Sequence, residues 1–316
     1  MLLRNKNTIH LSHTDLDGEG CIILAQNYLK NSIYKRVSYN SILETIKEIT
    51  LDIESSNDSP QLLITDLKMS KDDFDFLQSK SSLFSKIVII DHHLYEFEIP
   101  KIENAEIYIN SEYCATVLTY KYFSNTIDLR AYKRFVKLVN TFDLWKHNSI
   151  DFEESKNLNR LYWYMGYRSF NRRFFFTPKI TEEMKSQIQE ILNDISNYFK
   201  SCEKSGALFY NPLVTVSLCD KHIGELKDFY NSKVIINLKN MYHYSIRLSE
   251  ELSDEICEKL RTAILENVSD EICVNKGGHL RAFGITMNEM DSVTAKAETE
   301  KYVEVCLNIL NRINGD

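Results

Sequence analysis

The chain has 316 residues, with 38 Lys and Arg against 45 Asp and Glu, a formal charge of −7. Hydrophobic residues make up 43% and charged residues 26%, with only 9 Gly and 4 Pro, which excludes a disordered, collagenous or low-complexity chain and predicts a sizeable buried core. The acidic balance excludes a protein that holds long duplex nucleic acid by neutralising its phosphates, so any anionic substrate is short or held through metal ions.

Short apolar runs alternate with amphipathic stretches in the first third. Residues 8–12 (TIHLS), 61–65 (QLLIT) and 86–90 (KIVII) read as buried strands, and residues 20–30, 41–53 and 72–79 as helices. That alternation predicts a parallel sheet with right-handed crossovers. Each strand ends in acid: Asp15 and Asp17 past the first, Asp66 at the second, Asp91 at the third. Carboxyl ends of parallel strands share one edge, the edge at which such sheets bind ligands.

Residues 157–178 (NLNRLYWYMGYRSFNRRFFFTP) turn aromatic and basic, and residues 181–204 form a polar helical connector. Beyond it, residues 213–218, 233–238 and 242–248 read as strands and 251–266 and 293–312 as helices. The organisation expected is α/β in two domains: residues 1–180 with the parallel sheet, a connector over 181–204, and a smaller α/β domain over 205–316, with a cleft between the domains. Seven cysteines without a CxxC pair read as reduced core thiols. The first seven residues lack an apolar signal core, and no run nears the ~18 apolar residues of a membrane span. The expected location is cytoplasmic, with no membrane partner.

Four places carry potential chemistry. In His13-Thr14-Asp15-Leu16-Asp17-Gly18-Glu19-Gly20 a strand passes into a helix; on an extended segment Asp15 and Asp17 point the same way and would repel unless a proton or cation sits between them. The plain alternative is a capped helix with Asp17 as N-cap. Asp91-His92-His93 sets three metal or phosphate ligands at a strand end, where burial demands partners. Asp143 follows an apolar helical run and precedes Trp145, a position that is ordinarily a surface helix end. In Lys276-Gly277-Gly278-His279, the glycines let the backbone approach an anion and His279 can donate to a phosphate; a simple glycine turn is the alternative.

In that order HTDLDGEG, the TD of LLITDL, DHH, Cys114-Ala115-Thr116, Asp143 and GGH resemble the DHH phosphoesterases with their DHH-associated C-terminal domain, most nearly the NrnB-type oligoribonucleases, over residues 8 to 287. The resemblance implies two divalent metals, Mn preferred with Mg or Co as alternatives, and hydrolysis of phosphodiesters or phosphoanhydrides by a metal-activated water. Carboxylate and imidazole ligands suit such ions, and paired metals clamp both the attacking and the leaving oxygen. It further implies that His13, Asp15 and Asp66 hold one metal and Asp17, Asp66, His92 and Asp143 the other, with Asp66 bridging. Asp91 would fix the DHH turn, as ligand or supporting carboxylate, and His93 would face the phosphate. Arg247, Gly277, Gly278 and His279 would grip a substrate phosphate; Arg247 matches the family's strand arginine, and a guanidinium can do this with two hydrogen bonds. The glycine run is shorter than the family's, and Arg281 and Phe283 stand where small residues are common.

The function expected is removal of mononucleotides from short single-stranded oligonucleotides, in the 3′-to-5′ direction, by a metal-dependent phosphodiesterase. The rivals are a phosphodiesterase of cyclic or linear dinucleotides, a nucleotide bisphosphate phosphatase, and, from another class, a non-catalytic nucleotide-binding regulator. The intact set Asp15, Asp17, Asp66, His92 and Asp143 argues against the last. The oligomeric state is open, a homodimer among the options. For residues 160–176 the expectation is that the aromatics pack between the two domains and the arginines are solvated, with stacking on nucleic-acid bases and contact with phosphates as the alternative.

Overall fold

The computed structural model describes residues 2–56, 58–219, 221, 223–269, 271–288 and 290–314, with the side chains of residues 223, 279 and 314 outside that description. The chain divides into two compact units, Met1–Ile188 and Gln189–Asp316. The first runs β1 (Thr8–Ser12), α1 (Leu16–Gln26), β2 (Ser32–Arg36), α2 (Ile42–Ser56), β3 (Gln61–Thr65), α3 (Lys71–Ser79), β4 (Lys86–Asp91), β5 (Ala105–Ile109), α4 (Ala115–Ser124), α5 (Lys133–Asp143) and α6 (Phe152–Phe176). Helix α7 (Glu182–Lys204) follows, and the division between the units falls inside it. The second runs β6 (Leu208–Phe209), β7 (Val214–Ser217), α8 (Leu226–Phe229), β8 (Val234–Lys239), β9 (His243–Leu248), α9 (Asp254–Glu266), β10 (Cys273–His279), β11 (Ala282–Met287) and α10 (Ser292–Asn314).

The first sheet is wholly parallel in the order β2-β1-β3-β4-β5. Strand β3 is buried throughout and β4 nearly so, because parallel strands covered on both faces need apolar side chains on both. Ile42, Ile46, Ile49 and Ile53 repeat at helical spacing on α2 and pack one face of the sheet against Leu11, Leu62, Ile64, Ile87 and Ile89. The edge strands β2 and β5 are half-exposed and carry mixed sequences, so they lack the apolar runs that mark the central three.

The second sheet is mixed, in the order β10-β11-β9-β8-β7-β6, parallel only between β7 and β8. Val234, Ile236, Ile246, Leu248, Phe283 and Ile285 meet Leu260 and Ile264 of α9 and Tyr302 and Cys306 of α10 in its core. Gly277 and Gly278 lie within β10 with φ of 157° and 131°, so the glycine pair is not a turn; the reversal is made by Leu280 and Arg281. All seven cysteines are free, six of them buried. Among the described residues no helix is long and apolar enough to cross a membrane.

Candidate metal centre

The carboxyl ends of β1, β3 and β4 bring their acidic residues to one edge. The loop after β1 is tied down by a buried polar chain: His10 Nε2 meets Thr65 Oγ1 at 2.8 Å, Thr65 Oγ1 meets Ser12 Oγ at 2.7 Å, and Ser12 Oγ donates to the Gly18 carbonyl at 2.8 Å. Burial, then the charge of Arg36, lowers the His10 pKa to about 3, so this support is neutral. Gly18 and Gly20 are required by close approach: a Cβ on Gly18 would strike the His13 carbonyl, and one on Gly20 would strike the Thr116 hydroxyl.

The two acids of the first motif converge differently from an extended pair. Helix α1 begins at Leu16, so Asp15 is its N-cap, accepting from Gly18 N at 3.0 Å, and Asp17 lies in its first turn. Asp17 is not the cap: its oxygens accept from Ala115 N at 2.7 Å and Thr116 N at 2.8 Å, the start of α4, and the Thr116 hydroxyl donates to its carbonyl. A buried carboxylate at a helix N-terminus is favourably placed. Asn140 Oδ1 of α5 accepts from Cys114 N at 2.9 Å and so sets the entry to α4.

Asp66 adopts φ 56°, a left-handed conformation that costs a non-glycine residue energy and occurs where geometry is imposed, while its N–H still donates to the Ile90 carbonyl. Asp143 is the last residue of α5, and Trp145 with φ 48° turns the chain away. A carboxylate at a helix C-terminus meets the negative end of the helix dipole, so this position gains from a cation.

These elements gather the candidate ligands. His13 Nδ1 lies 2.9 Å from Asp15 and 3.8 Å from Asp66; His92 Nε2 lies 3.3 Å from Asp66, 3.6 Å from Asp143 and 3.9 Å from Asp17. Three groups have ligand atoms all within 4.8 Å of one another: His13, Asp15 and Asp66; Asp66, Asp91, His92 and His93; and Asp17, Cys114 and Asp143. Burial and the charges of Asp17, Asp15 and Asp143 push the Asp66 carboxyl well above its ordinary range, and burial with Asp17, Asp15 and Asp91 does the same to Asp143. Asp66 Oδ2 and Asp143 Oδ2 are buried without a hydrogen-bond partner among the described residues. Repelling carboxylates with orphaned oxygens, interleaved with imidazoles, fit divalent cations, which remove both costs at once. For Asp15, burial raises the pKa but the hydrogen bond and charge of His13 outweigh it, so it stays ionised.

Within the second of these groups, Asp91 and His93 are paired directly. Asp91 is buried, with Oδ1 2.8 Å from His93 Nδ1 and Oδ2 accepting from the Tyr95 hydroxyl at 2.6 Å. Burial raises its pKa, but His93 and Tyr95 overcome that and keep it low, so Asp91 stays ionised and holds the His93 ring. Tyr39, just past β2, carries no signal in the sequence that marks it as a site residue: its ring stacks on His13 at 4.2 Å between centroids and its hydroxyl meets His93 Nε2 at 3.2 Å. Cys114, a core thiol by its sequence, is fully buried, yet its sulfur belongs to the Asp17 and Asp143 group; burial and those two acids push its thiol well up, which keeps it neutral.

In the second unit, Arg247 pairs with Ala282 and Ala282 with His279, so these three occupy one row across β9, β11 and β10, with Gly278 one step along opposite Phe283. The His279 side chain lies outside the described residues. Arg281 has a structural role: its guanidinium donates to the carbonyls of Ser249 at 2.6 Å and Leu252 at 2.8 Å and to Asp254 at 2.7 Å, while Phe283 is core.

No family model matches the chain. It is 26% identical over 203 residues to a 3′,5′-cyclic-nucleotide phosphodiesterase of Helicobacter pylori, a match covering 60% of this chain and 56% of that protein. It is also 26% identical over 174 residues to the oligoribonuclease NrnB of Bacillus subtilis, covering 51% and 43%. The chain thus spans about half the length of the curated relatives it matches. Among solved structures, the DHH domain of a member of a ribosomal-protein family superposes with a TM-score of 0.62 at 14% identity, over 94% of this chain and 86% of that one. The exonuclease RecJ bound to manganese gives 0.57 at 10% identity, over 96% and 90%.

Proposed function

We propose that the chain is a DHH phosphoesterase, a two-metal phosphodiesterase that shortens single-stranded oligonucleotides to mononucleotides from the 3′ end, a reading supported by its similarity to two phosphodiesterases and by its DHH-like fold. The observation that carries this reading is the set of repelling carboxylates and imidazoles around Asp66, two of whose buried oxygens lack partners. His13, Asp15 and Asp66 would hold one cation and Asp17, Asp66, His92 and Asp143 the other, Mn in preference to Mg or Co. When bound, such a pair lowers the pKa of water and neutralises charge on phosphate oxygens.

The chain's own groups do the rest. Asp91 fixes the His93 ring so that its Nε2 edge, shared with the Tyr39 hydroxyl, is presented to the substrate, where the ring accepts a proton at Nε2 or, once doubly protonated, donates to a phosphate oxygen or the leaving group. Arg247, Gly277, Gly278 and His279 would hold a substrate phosphate, the role that the resemblance implies for them. The name of the Helicobacter pylori relative supports a rival reading with the same chemistry on a cyclic phosphodiester.

A panel of labelled substrates, from dinucleotide to 24-mer with cyclic mono- and dinucleotides alongside, decides between these readings. Expected is fastest turnover of di- to pentanucleotides, no activity after exhaustive chelation, and best recovery with Mn. Activity confined to cyclic nucleotides would reverse the order of the readings, and full activity after chelation would remove the metal mechanism. Arg247→Ala is expected to weaken oligonucleotide turnover roughly a hundred-fold, the size of a lost charge-assisted, bidentate phosphate contact, with a much smaller loss on a simple chromogenic phosphodiester. Equal losses on both would assign Arg247 to the fold.

A further inference from the structure

The aromatic stretch of α6 lies outside the metal-binding and phosphate-gripping groups. Gly166, with φ 69° and ψ 155°, breaks the helix, and around it the rings divide by burial. Tyr162, Phe170 and Phe174 are core, whereas Trp163, Tyr164 and Tyr167 are 64%, 58% and 39% exposed. The expectation that these aromatics pack therefore fails for three of them: Trp163 and Tyr164 fall on the exposed side of the helix next to the buried Leu161 and Tyr162, and Tyr167 lies just past the break. One exposed ring is ordinary; three large ones within five residues form a patch, and such patches mark interaction sites.

The helix that carries this patch is anchored beside the acidic centre. From the same helix, the Tyr162 hydroxyl donates to the Thr14 carbonyl at 2.7 Å, Asn171 donates to Glu19 at 2.6 Å, and Asn159 lines a small cavity with Asp15, Asp17 and Asp143. The guanidinium of Arg36 lies 4.1 Å from the centre of the Tyr167 ring while forking onto Glu19 at 2.7 and 2.9 Å. Arg168 and Arg172 stand exposed on the same stretch.

We propose that Trp163, Tyr164 and Tyr167, with Arg168 and Arg172, form a platform on which unpaired bases of a bound oligonucleotide stack, the Arg36–Glu19 pair backing the Tyr167 ring. The proposal rests on the phosphodiesterase reading and narrows its substrate class to linear single strands with accessible bases. Every base offers a π face, so stacking on Tyr and Trp tolerates any sequence, and the arginines match the phosphates between the bases. Duplex bases are already stacked on each other and gain nothing here. A strand-tracking platform also suits a chain of charge −7, since the basic side chains are local and the length they serve is short.

The test compares a pentanucleotide carrying all its bases with the same strand carrying abasic residues, on the parent and on a Trp163→Ala, Tyr164→Ala variant. In the parent, removing the bases is expected to raise KM roughly ten-fold, in line with stacking on one aromatic. In the variant, KM on the natural strand rises by a similar factor and the distinction between natural and abasic strands disappears, a selectivity change that a general loss of folding would not produce. Independently, tryptophan emission of the chelated parent should be quenched by oligoadenylate, and the quench should be absent in Trp163→Phe. A parent that cleaves the pentanucleotide but treats both strands alike overturns the platform and leaves the phosphodiesterase reading standing. A parent that cleaves neither strand overturns that reading itself. A parent dimer that the variant dissolves, with no abasic discrimination, assigns the patch to a second copy of the chain and also overturns the platform.

Discussion

Asp66→Asn is expected to reduce turnover about a thousand-fold, because loss of a shared ligand removes several kcal/mol of stabilisation from the reaction at ~1.4 kcal/mol per factor of ten. Asp66 is the residue common to two of the ligand groups and has an imidazole on either side, His13 at 3.8 Å and His92 at 3.3 Å. The same change should act on stability with the opposite sign. Burial and three neighbouring acids raise the folded pKa of Asp66 above its ordinary 3.8. A carboxyl of that kind contributes stability below its unfolded pKa, and the contribution is lost as pH rises through the raised folded value. Chelated parent protein should therefore lose melting temperature relative to chelated Asp66→Asn as pH climbs from about 4 toward neutrality. Adding Mn at neutral pH should raise the melting temperature of the parent and leave the variant nearly unmoved. A variant with near-normal turnover, or one that Mn stabilises as much as the parent, would remove Asp66 from the metal centre.

His93→Ala is expected to lower kcat by about a hundred-fold or more, the usual worth of a positioned imidazole in proton transfer or hydrogen bonding to a reacting group. With Asp91 ionised, Nδ1 carries the proton and donates to Oδ1 at 2.8 Å, which leaves the opposite ring edge for the substrate. Asp91→Asn should give an intermediate loss through misorientation, and Tyr39→Phe a loss of only a few-fold, the size of one hydrogen bond worth about 1 kcal/mol. The measurement that separates this role from a ligand's is the Mn-induced thermal shift, which should persist in His93→Ala and vanish in Asp66→Asn. Loss of that shift in His93→Ala would make His93 a metal ligand instead.

The central strands of the first sheet were legible without coordinates. TIHLS and QLLIT are the strands Thr8–Ser12 and Gln61–Thr65, and KIVII differs from Lys86–Asp91 only at its end, because a parallel strand buried on both faces is an unbroken apolar run. Once those strands are parallel, the acids at their ends must share an edge, so Asp15, Asp66 and Asp91 could be grouped from sequence. The edge strands Ser32–Arg36 and Ala105–Ile109 could not, since half-exposed strands need no apolar run. Missing the first of them hid Tyr39, which follows it at the same edge.

Tertiary structure alone decided how the centre is built. That Asp15 caps α1 while Asp17 caps the start of α4, almost a hundred residues away in sequence, depends on the packing of α1 against α4 through Gly20 and Thr116. That Asp143 joins the acidic cluster depends on where α5 terminates, and the entry of Cys114 into the same cluster is set by Asn140 accepting from its N–H. The aromatic stretch shows the limit most clearly. Its residues are apolar enough for a core and basic enough for a ligand, and only the packed chain decides that Tyr162, Phe170 and Phe174 enter the core while Trp163, Tyr164 and Tyr167 remain in solvent. Periodicity reports what one element needs to bury; which neighbour buries it, and what is left over, is a property of the packed chain.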